Sequence, residues 1–234
     1  MYTSDMAYFN PKAWARKNKN GFANKFVTAA KVEPHNEPAA FFMAGLPGAG
    51  KTEFTKNIIN DLRLKVVRID MDEIATHIDN YDPRHADAFR EAATDMLNAV
   101  FDRTTHRKVD FIMDGTFRSR SAISNIERAL DKGYTIKIFY IHQEPDIAWS
   151  FTQAREKVEK RAINREGFIS AYFDIHENIR QLSRGGREGV TIDFVVKDAQ
   201  NKVGAWHRNV SINDIDNIVN RRYTKEELER KVQP

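Results

Sequence analysis

One short stretch of this sequence has residue types and spacing that suit the chemistry of phosphate groups. Positions 45–52, GLPGAGKT, match the pattern G-x-x-x-x-G-K-[ST], whose backbone N–H groups surround a polyphosphate. Its glycines let the chain turn back on itself and approach the anion closely. The lysine can reach the terminal phosphates, and the threonine hydroxyl can join the coordination shell of Mg²⁺. We therefore predict that a nucleotide is bound through Gly45, Pro47, Gly48, Ala49, Gly50, Lys51 and Thr52.

The segments on either side of this loop have the character that the motif requires. The apolar run Ala39–Ala44 predicts a buried strand before it, and residues 52–60 predict a helix after it. The dipole and free N–H groups at the start of such a helix favour an anion. A strand, a glycine turn and a helix in this order argue against a chance match.

Composition narrows the class of protein. The chain has 234 residues, of which 41% are hydrophobic and 30% charged, as in an ordinary globular protein. A net charge of +4 is weak evidence for a nucleic-acid partner, and we expect none. The absence of cysteine excludes disulfides and thiolate metal sites. We see no signal peptide and no apolar run of roughly 18 residues, so we expect no membrane span and a cytoplasmic location.

Strand and helix patterns alternate along the chain. Strands are predicted at residues 39–44, 64–70, 109–114, 135–141 and 190–196, with amphipathic helices between them. This order predicts one α/β domain over residues 1–234, a five-stranded, mainly parallel sheet flanked by helices. We expect an N-terminal helical arm at 1–37, a helical lid region at 146–185 and C-terminal helices at 205–234. Thr224 and Glu227 have the spacing of a capping box.

The phosphate loop occurs in GTPases, motor ATPases and small kinases, and other segments help to separate them. The nearest match to a guanine-recognition box, residues 201–204, lacks its acid, and the chain looks short for a motor core. A small kinase needs an acid–base group for the acceptor hydroxyl and arginines for the transferring phosphate.

Carboxylates follow the second predicted strand. Asp70 and Asp72 lie at its carboxyl end, the edge of an open α/β sheet where ligands bind. If the strand continues that far, alternation puts both side chains on one side. A carboxylate there could accept the proton of an acceptor hydroxyl. The alternative is that Asp72 only caps a helix over 73–78.

Two further groups could serve a kinase. The carboxyl end of the third strand carries Asp114, Thr116 and Arg118. Asp114 could hold Mg²⁺ or bind substrate, and the other two offer a hydroxyl and a cation, although a strand-end turn would also explain the glycine between them. Arg155, Arg161 and Arg165 lie in the lid region, where arginines can close over a nucleotide. A solvated helix face is the alternative for these arginines.

Together these segments resemble the zeta-toxin family of phosphate-loop kinases. The resemblance runs from about Pro38 to Val196 and includes the loop, residues 69–72, residues 113–118 and the spacing of the lid arginines. It implies a P-loop kinase fold and Mg²⁺-dependent transfer from ATP to a hydroxyl, in type members that of UDP-N-acetylglucosamine. It also implies an inhibitory antitoxin protein as a partner.

The resemblance also implies roles for particular residues. Asp72 matches the catalytic base, Lys51 and Thr52 the phosphate and metal contacts, and Arg155 and Arg165 the lid arginines. Asp114, Thr116 and Arg118 match the substrate side, although type members often carry Glu at position 114. We also expect Asp70 to bind the substrate. His85 could contact an acceptor phosphate, whereas a histidine after a proline turn is commonly a surface residue.

Other functions stay open at this point. A polynucleotide 5′-hydroxyl kinase shares the same loop and carboxylate logic, but we see no aromatic and basic strip for a single strand. A non-catalytic ATP-binding module could dock a protein through its N-terminal aromatic residues, Phe9, Trp14, Phe22 and Phe26. Trp206 could stack on a base, or pack against the last helices.

Overall fold

The computed structural model describes residues 9–159, 164–184, 188–219 and 222–233. Strands and helices alternate through most of this part of the chain, as predicted. The strands are β1 (Ala39–Ala44), β2 (Val67–Asp70), β3 (Phe111–Asp114), β4 (Thr135–His142), β5 (Val190–Lys197) and β6 (Val203–His207). The helices are α1 (Pro11–Ala29), α2 (Lys51–Asp61), α3 (Met71–Ala75), α4 (Ala86–His106), α5 (Ser121–Leu130), α6 (Pro145–Glu159), α7 (Arg165–Arg184), α8 (Ile212–Val219) and α9 (Lys225–Lys231).

The six strands form one sheet in the order β2-β3-β1-β4-β5-β6. All neighbouring pairs are parallel except β5 and β6, which are antiparallel. The central strand β1 lies between β3 and β4, so the loop that follows β1 opens at the carboxyl edge of the sheet. The predicted α/β class and mainly parallel sheet are confirmed.

The prediction of five strands was one too few. The sixth strand is β6, and its residues 205–207 fall in the region that we expected to hold only C-terminal helices. Its sequence, VGAWH, gives little sign of a strand because Gly204 interrupts it and only Val203 is β-branched. Pairing with β5 supplies the hydrogen bonds that make it a strand at the edge of the sheet.

Aromatic side chains fill the space beneath the central strand. Phe42 of β1 meets Phe111 of β3 edge to face at 5.8 Å and Phe117 at 6.4 Å. All three rings are buried, so they fix the segment after β3 against the strand that leads into the loop.

The N-terminal helix α1 packs along α4 through its buried residues Ala15, Ala23 and Val27. The indole of Trp14 donates a hydrogen bond of 2.7 Å to Asp79, and the ring of Phe22 lies 5.1 Å from that of His77. The aromatic residues considered as a docking element therefore pack against the rest of the protein, and a partner would have to displace these contacts to use them.

The C-terminal helix α9 begins with the predicted capping box, in which Thr224 and Glu227 exchange side-chain and backbone hydrogen bonds. The residues just after it bind the lid region: the carbonyl of Gln233 accepts 2.6 Å from the indole of Trp149 in α6. Lys231 of α9 also pairs with Asp146 at 3.1 Å. Helix α9 and the residues after it thus contact α6, the first helix of the predicted lid region.

Trp206 on β6 packs over the helix that follows the loop. Its ring lies 5.5 Å from Phe54 of α2, and its indole N–H donates 3.0 Å to Asp193. This residue therefore packs on α2, where we had considered the last helices or a nucleotide base. Among the described helices, none has the length and apolar character needed to cross a lipid bilayer.

Candidate nucleotide and acceptor site

The phosphate loop joins β1 to α2 in a geometry that only glycine adopts easily. The φ angle of Gly48 is +77°, and a Cβ atom there would lie 2.0 Å from the carbonyl oxygen of Ala148 in α6. Gly50 is the N-cap of α2 in a left-handed conformation, with no side-chain hydrogen bond to the first turn. The first N–H groups of α2 are therefore presented without a side-chain cap, as an anion-binding helix start requires.

Lys51 folds back over the loop that precedes it. Its Nζ donates hydrogen bonds of 2.9 Å to the carbonyl of Gly45 and 2.7 Å to that of Leu46. Burial lowers the pKa of Lys51 to about 8, against the attraction of Asp114, and the charge of Arg155 lowers it further. The structure thus brings Lys51, Asp114 and the predicted lid residue Arg155 within electrostatic reach of one another.

Thr52 lies in the first turn of α2 and is the predicted metal contact. Its hydroxyl makes no hydrogen bond with another described residue, so its oxygen lone pairs are available to a cation. Within the described residues, no three acidic or histidine side chains form a ready-made metal site. This fits Mg²⁺, which is usually held by one or two protein groups together with substrate phosphates.

The two aspartates after β2 have different positions. Strand β2 ends at Asp70, whose side chain caps α3 by accepting 2.8 Å from the backbone N–H of Asp72. Asp72 lies in the first turn of α3 and is exposed. The condition for placing both side chains on one side, a strand that continues to Asp72, is therefore not met, because the chain turns into a helix immediately after Asp70. The cap that we considered for Asp72 belongs to Asp70.

Arg68 on β2 was missed in the sequence and organises the carboxylates. Its guanidinium donates 2.7 and 3.1 Å to the same oxygen of Asp114, pairs with Asp70, and reaches Glu73 at 2.9 Å. Asp70 and Asp114 stand opposite each other in the β2–β3 register. Burial raises the pKa of Asp70, while Arg68 opposes this effect. The i, i+2 spacing of Arg68 and Asp70 could have revealed the pair.

The segment after β3 joins the loop to a lid helix. The backbone N–H of Gly45 donates 3.2 Å to the carbonyl of Thr116. Arg118 turns towards α7 and donates 3.0 Å to Asp174 and 3.2 Å to Ser170. The three predicted residues at this strand end therefore have different surroundings. Asp114 binds Arg68, Thr116 contacts the phosphate loop, and Arg118 binds α7.

The predicted lid arginines divide between two places. Arg155 is exposed on α6, whose residues Ala148 and Thr152 lie against Gly48 of the loop. Arg165, the first residue of α7, donates 2.5 Å to the carbonyl of Val232 and also binds that of Glu229, at the end of α9. Arg161 lies outside the described residues.

His85 ends a short 3₁₀ turn, Pro83–His85, and its ring lies 3.3 Å from the carboxylate of Asp82. Arg84 also binds this carboxylate and is the first cause of the lowered pKa of Asp82. The role of His85 at an acceptor stays a prediction, as do the roles of the other site residues.

A cleft of about 500 Å³ opens between α7 and α9. Apolar side chains of Ile169 and Phe173 line it together with charged groups, among them Arg165, Asp174 and Lys225. The cleft shares Ser170 and Asp174 with the contacts of Arg118. Space is therefore present beside the segment that we predict to bind the acceptor.

Solved structures share this architecture. One, from work on the PezAT chromosomal toxin–antitoxin system of Streptococcus pneumoniae, aligns with a TM-score of 0.69 and 15% identity, covering 92% of this chain and 95% of the other. A structure of AvrRxo1-ORF1:-ORF2 with ATP aligns with a TM-score of 0.58 and 11% identity, covering 88% and 69%. At these identities the likeness establishes the fold.

No curated protein sequence matches the chain. The family model for the zeta toxin matches residues 24–211, from the second half of α1 to the residue before α8. Since this range covers most of the chain and includes the loop, the carboxylates of β2 and β3 and the described lid arginines, the protein belongs to the zeta toxin family.

Proposed function

We propose that the protein is an ATP- and Mg²⁺-dependent kinase that phosphorylates a hydroxyl of a small molecule, a nucleotide sugar such as UDP-N-acetylglucosamine. The observation that carries this proposal is the hydrogen bond from Gly45 N–H to Thr116 O, which joins the phosphate loop to the end of β3. Donor and acceptor groups are thereby held at one edge of the sheet. The zeta toxin family and the fold support the same reaction class.

In this proposal, each of the predicted site residues has a separate role in phosphoryl transfer. The loop N–H groups and Lys51 hold the β- and γ-phosphates. Thr52 would help to hold Mg²⁺, which would offset the charge of these phosphates. Asp72 accepts the proton of the acceptor hydroxyl as its oxygen bonds to the γ-phosphorus and ADP leaves. Arg155, with Arg165, stabilises negative charge on the transferring group.

Arg68 gives the acceptor side a fixed charge pattern. Because it pairs with both Asp70 and Asp114, its positive charge offsets part of the repulsion between these two carboxylates at the sheet edge. Asp72, in the first turn of α3, is an exposed carboxylate beside this pair and is suited to meet a bound hydroxyl. Asp70 orients it through the cap of α3.

The test is transfer of phosphate from ATP in the presence of Mg²⁺ to a panel of acceptors, followed by mass spectrometry. We expect a phosphorylated UDP-sugar and no product on a 5′-hydroxyl oligonucleotide. Asp72→Asn should lower kcat by roughly 10²- to 10⁴-fold while ATP affinity stays within about twofold. Asp87→Asn, at an exposed aspartate of α4 paired with Arg90, is the matched control.

Different results would redirect the proposal. A product on the oligonucleotide alone would indicate a polynucleotide kinase. ATP binding without transfer to any metabolite of a cell extract would favour a non-catalytic ATP-binding module. Full turnover by Asp72→Asn would remove Asp72 as the base.

We also propose an antitoxin as a protein partner. The solved relatives come from a toxin–antitoxin system and from a complex of two open reading frames, and this family relation supports a partner here. Co-expression with neighbouring open reading frames, followed by affinity capture of this protein, should recover a small protein that inhibits phosphoryl transfer. A captured protein that leaves transfer unchanged would contradict the proposal.

A further inference from the structure

Three polar side chains on one face of α7 hold the segment that follows β3. Ser170, Asp174 and Asn178 are spaced four residues apart, so they lie one above the other along the helix. All three contact the segment Phe117–Ser119, which carries the predicted acceptor residue Arg118. No motif in the sequence joins these distant positions.

Asn178 holds the backbone of this segment. Its side chain is buried, with 4% of the residue exposed, and its Nδ2 lies 2.8, 3.0 and 3.3 Å from the carbonyl oxygens of Phe117, Arg118 and Ser119. Phe117 has a φ angle of +64°, which is unfavourable for a residue with a Cβ atom. The amide of Asn178 therefore stabilises an irregular backbone that lacks helix or sheet partners.

Asp174 and Ser170 hold the side chain of Arg118. Asp174 accepts 3.0 Å from its Nε, Ser170 accepts 3.2 Å from its Nη2, and the Ser170 hydroxyl donates 3.0 Å to the same oxygen of Asp174. The remaining nitrogen, Nη1, makes no hydrogen bond with a described residue. With 43% of this side chain exposed, one edge of the guanidinium is fixed and Nη1 is left to bind an acceptor.

The same helix begins at Arg165, one of the predicted lid arginines. Movement of α7 towards a nucleotide would therefore carry the Phe117–Ser119 segment with it. Asp174 accepts hydrogen bonds from Arg118 and Ser170, and its bond to Arg118 joins opposite charges. It should therefore contribute more to holding Arg118 than a neutral hydrogen bond would.

We propose that Ser170, Asp174 and Asn178 are positioning residues that set acceptor affinity by tying the predicted acceptor segment to lid helix α7. This rests on the proposed kinase function. It assigns no chemical step to the three residues, since each acts through Arg118 or the backbone beside it. Loss of these contacts should raise the acceptor KM more than the ATP KM, because the phosphate loop keeps its own contacts.

The test uses near-isosteric changes in the full chain. Asn178→Asp replaces the donor by a carboxylate facing three carbonyls, and Asp174→Asn removes the charge that holds Arg118. Each should raise the acceptor KM about tenfold and leave the ATP KM within about twofold, where tenfold corresponds to about 1.4 kcal/mol. Asp174→Ala should have a larger effect than Asp174→Asn, which keeps an oxygen acceptor.

Glu177→Gln is the matched control, because Glu177 lies beside Asn178 but pairs with Arg180 on the same helix. Hydrogen exchange supplies a readout that needs no turnover: Asn178→Asp should speed exchange of the Ala122 amide, which donates 2.9 Å to the carbonyl of Ser119, and Glu177→Gln should not. Unchanged acceptor KM values in Asp174→Asn and Asn178→Asp, or equal changes in both KM values, would overturn the proposal. If the wild-type protein transfers phosphate to nothing, the proposed function fails, while exchange of the Ala122 amide still decides whether α7 holds the segment.

If Asn178→Asp does not fold, Asp174→Asn keeps the test decisive, since Asp174 is 42% exposed and its replacement should leave the core intact.

Discussion

The lowered pKa of Lys51 predicts that nucleotide affinity depends on pH. Burial brings this pKa from 10.5 to about 8, which corresponds to about 3 kcal/mol of disfavoured charge. If only protonated Lys51 binds the phosphates, the dissociation constant scales with one plus the ratio of neutral to charged lysine. That factor is about 1 at pH 7 and about 11 at pH 9, so the affinity for ATP should fall about tenfold.

Isothermal titration calorimetry at several pH values measures this fall directly. At pH 8, the protein should take up about half a proton for each ATP that it binds. This uptake makes the observed enthalpy of binding differ between buffers that have different enthalpies of ionisation. Lys51→Arg is the control, because a guanidinium stays charged throughout the range. ATP ionises alike with both proteins, so the comparison isolates the lysine.

Equal pH slopes for the wild-type protein and Lys51→Arg would refute this reasoning. If the arginine variant does not bind, absence of proton uptake at pH 8 by the wild-type protein would by itself refute the reasoning.

The lowered pKa of Lys51 also makes the free energy of unfolding depend on pH. Between about pH 8 and 10.5, Lys51 binds more proton in the unfolded state than in the native state. This group should therefore make the native state gain stability as pH rises through that window.

Two further predictions concern backbone geometry and buried charge. Gly48→Ala forces a left-handed conformation and a clash with the Ala148 carbonyl, so we expect roughly 2 kcal/mol or more of lost stability and loss of ATP binding, measured by thermal melting and calorimetry. A melting temperature equal to that of wild type would contradict this. Arg68→Met leaves the Asp114 carboxylate buried without its partner and should cost about 3 kcal/mol in urea unfolding, of which adding Asp114→Asn should recover part. No recovery in the double variant would show that the pair is not the cause.

The sequence was most informative where a local pattern alone determines the structure. The phosphate loop and the buried strand before it needed no distant contact to be recognised, and the parallel order of strands followed from their alternation with helices. β6 was missed because an edge strand with Gly204 depends on its pairing with β5. A local pattern cannot report that pairing.

In the candidate site, too, local patterns revealed some residues, and others became evident only from contacts between distant segments. Asp70, Asp72 and Asp114 could be chosen because they lie at the carboxyl ends of predicted strands, but the chain turns into α3 after Asp70 and Asp72 is therefore helical. Arg68 was missed because the charges that it joins come from two strands. Asn178 was missed because its three partners lie about sixty residues away in the chain.

The position of Trp206 suits it to report nucleotide binding through its intrinsic fluorescence. Its ring touches Phe54 in the helix that starts at the phosphate loop, and 38% of the residue is exposed to solvent. A shift of that helix on nucleotide binding would change the polarity around the indole and hence its emission. The sequence has only three tryptophans, so replacing Trp14 and Trp149 by phenylalanine would isolate this signal for a label-free titration.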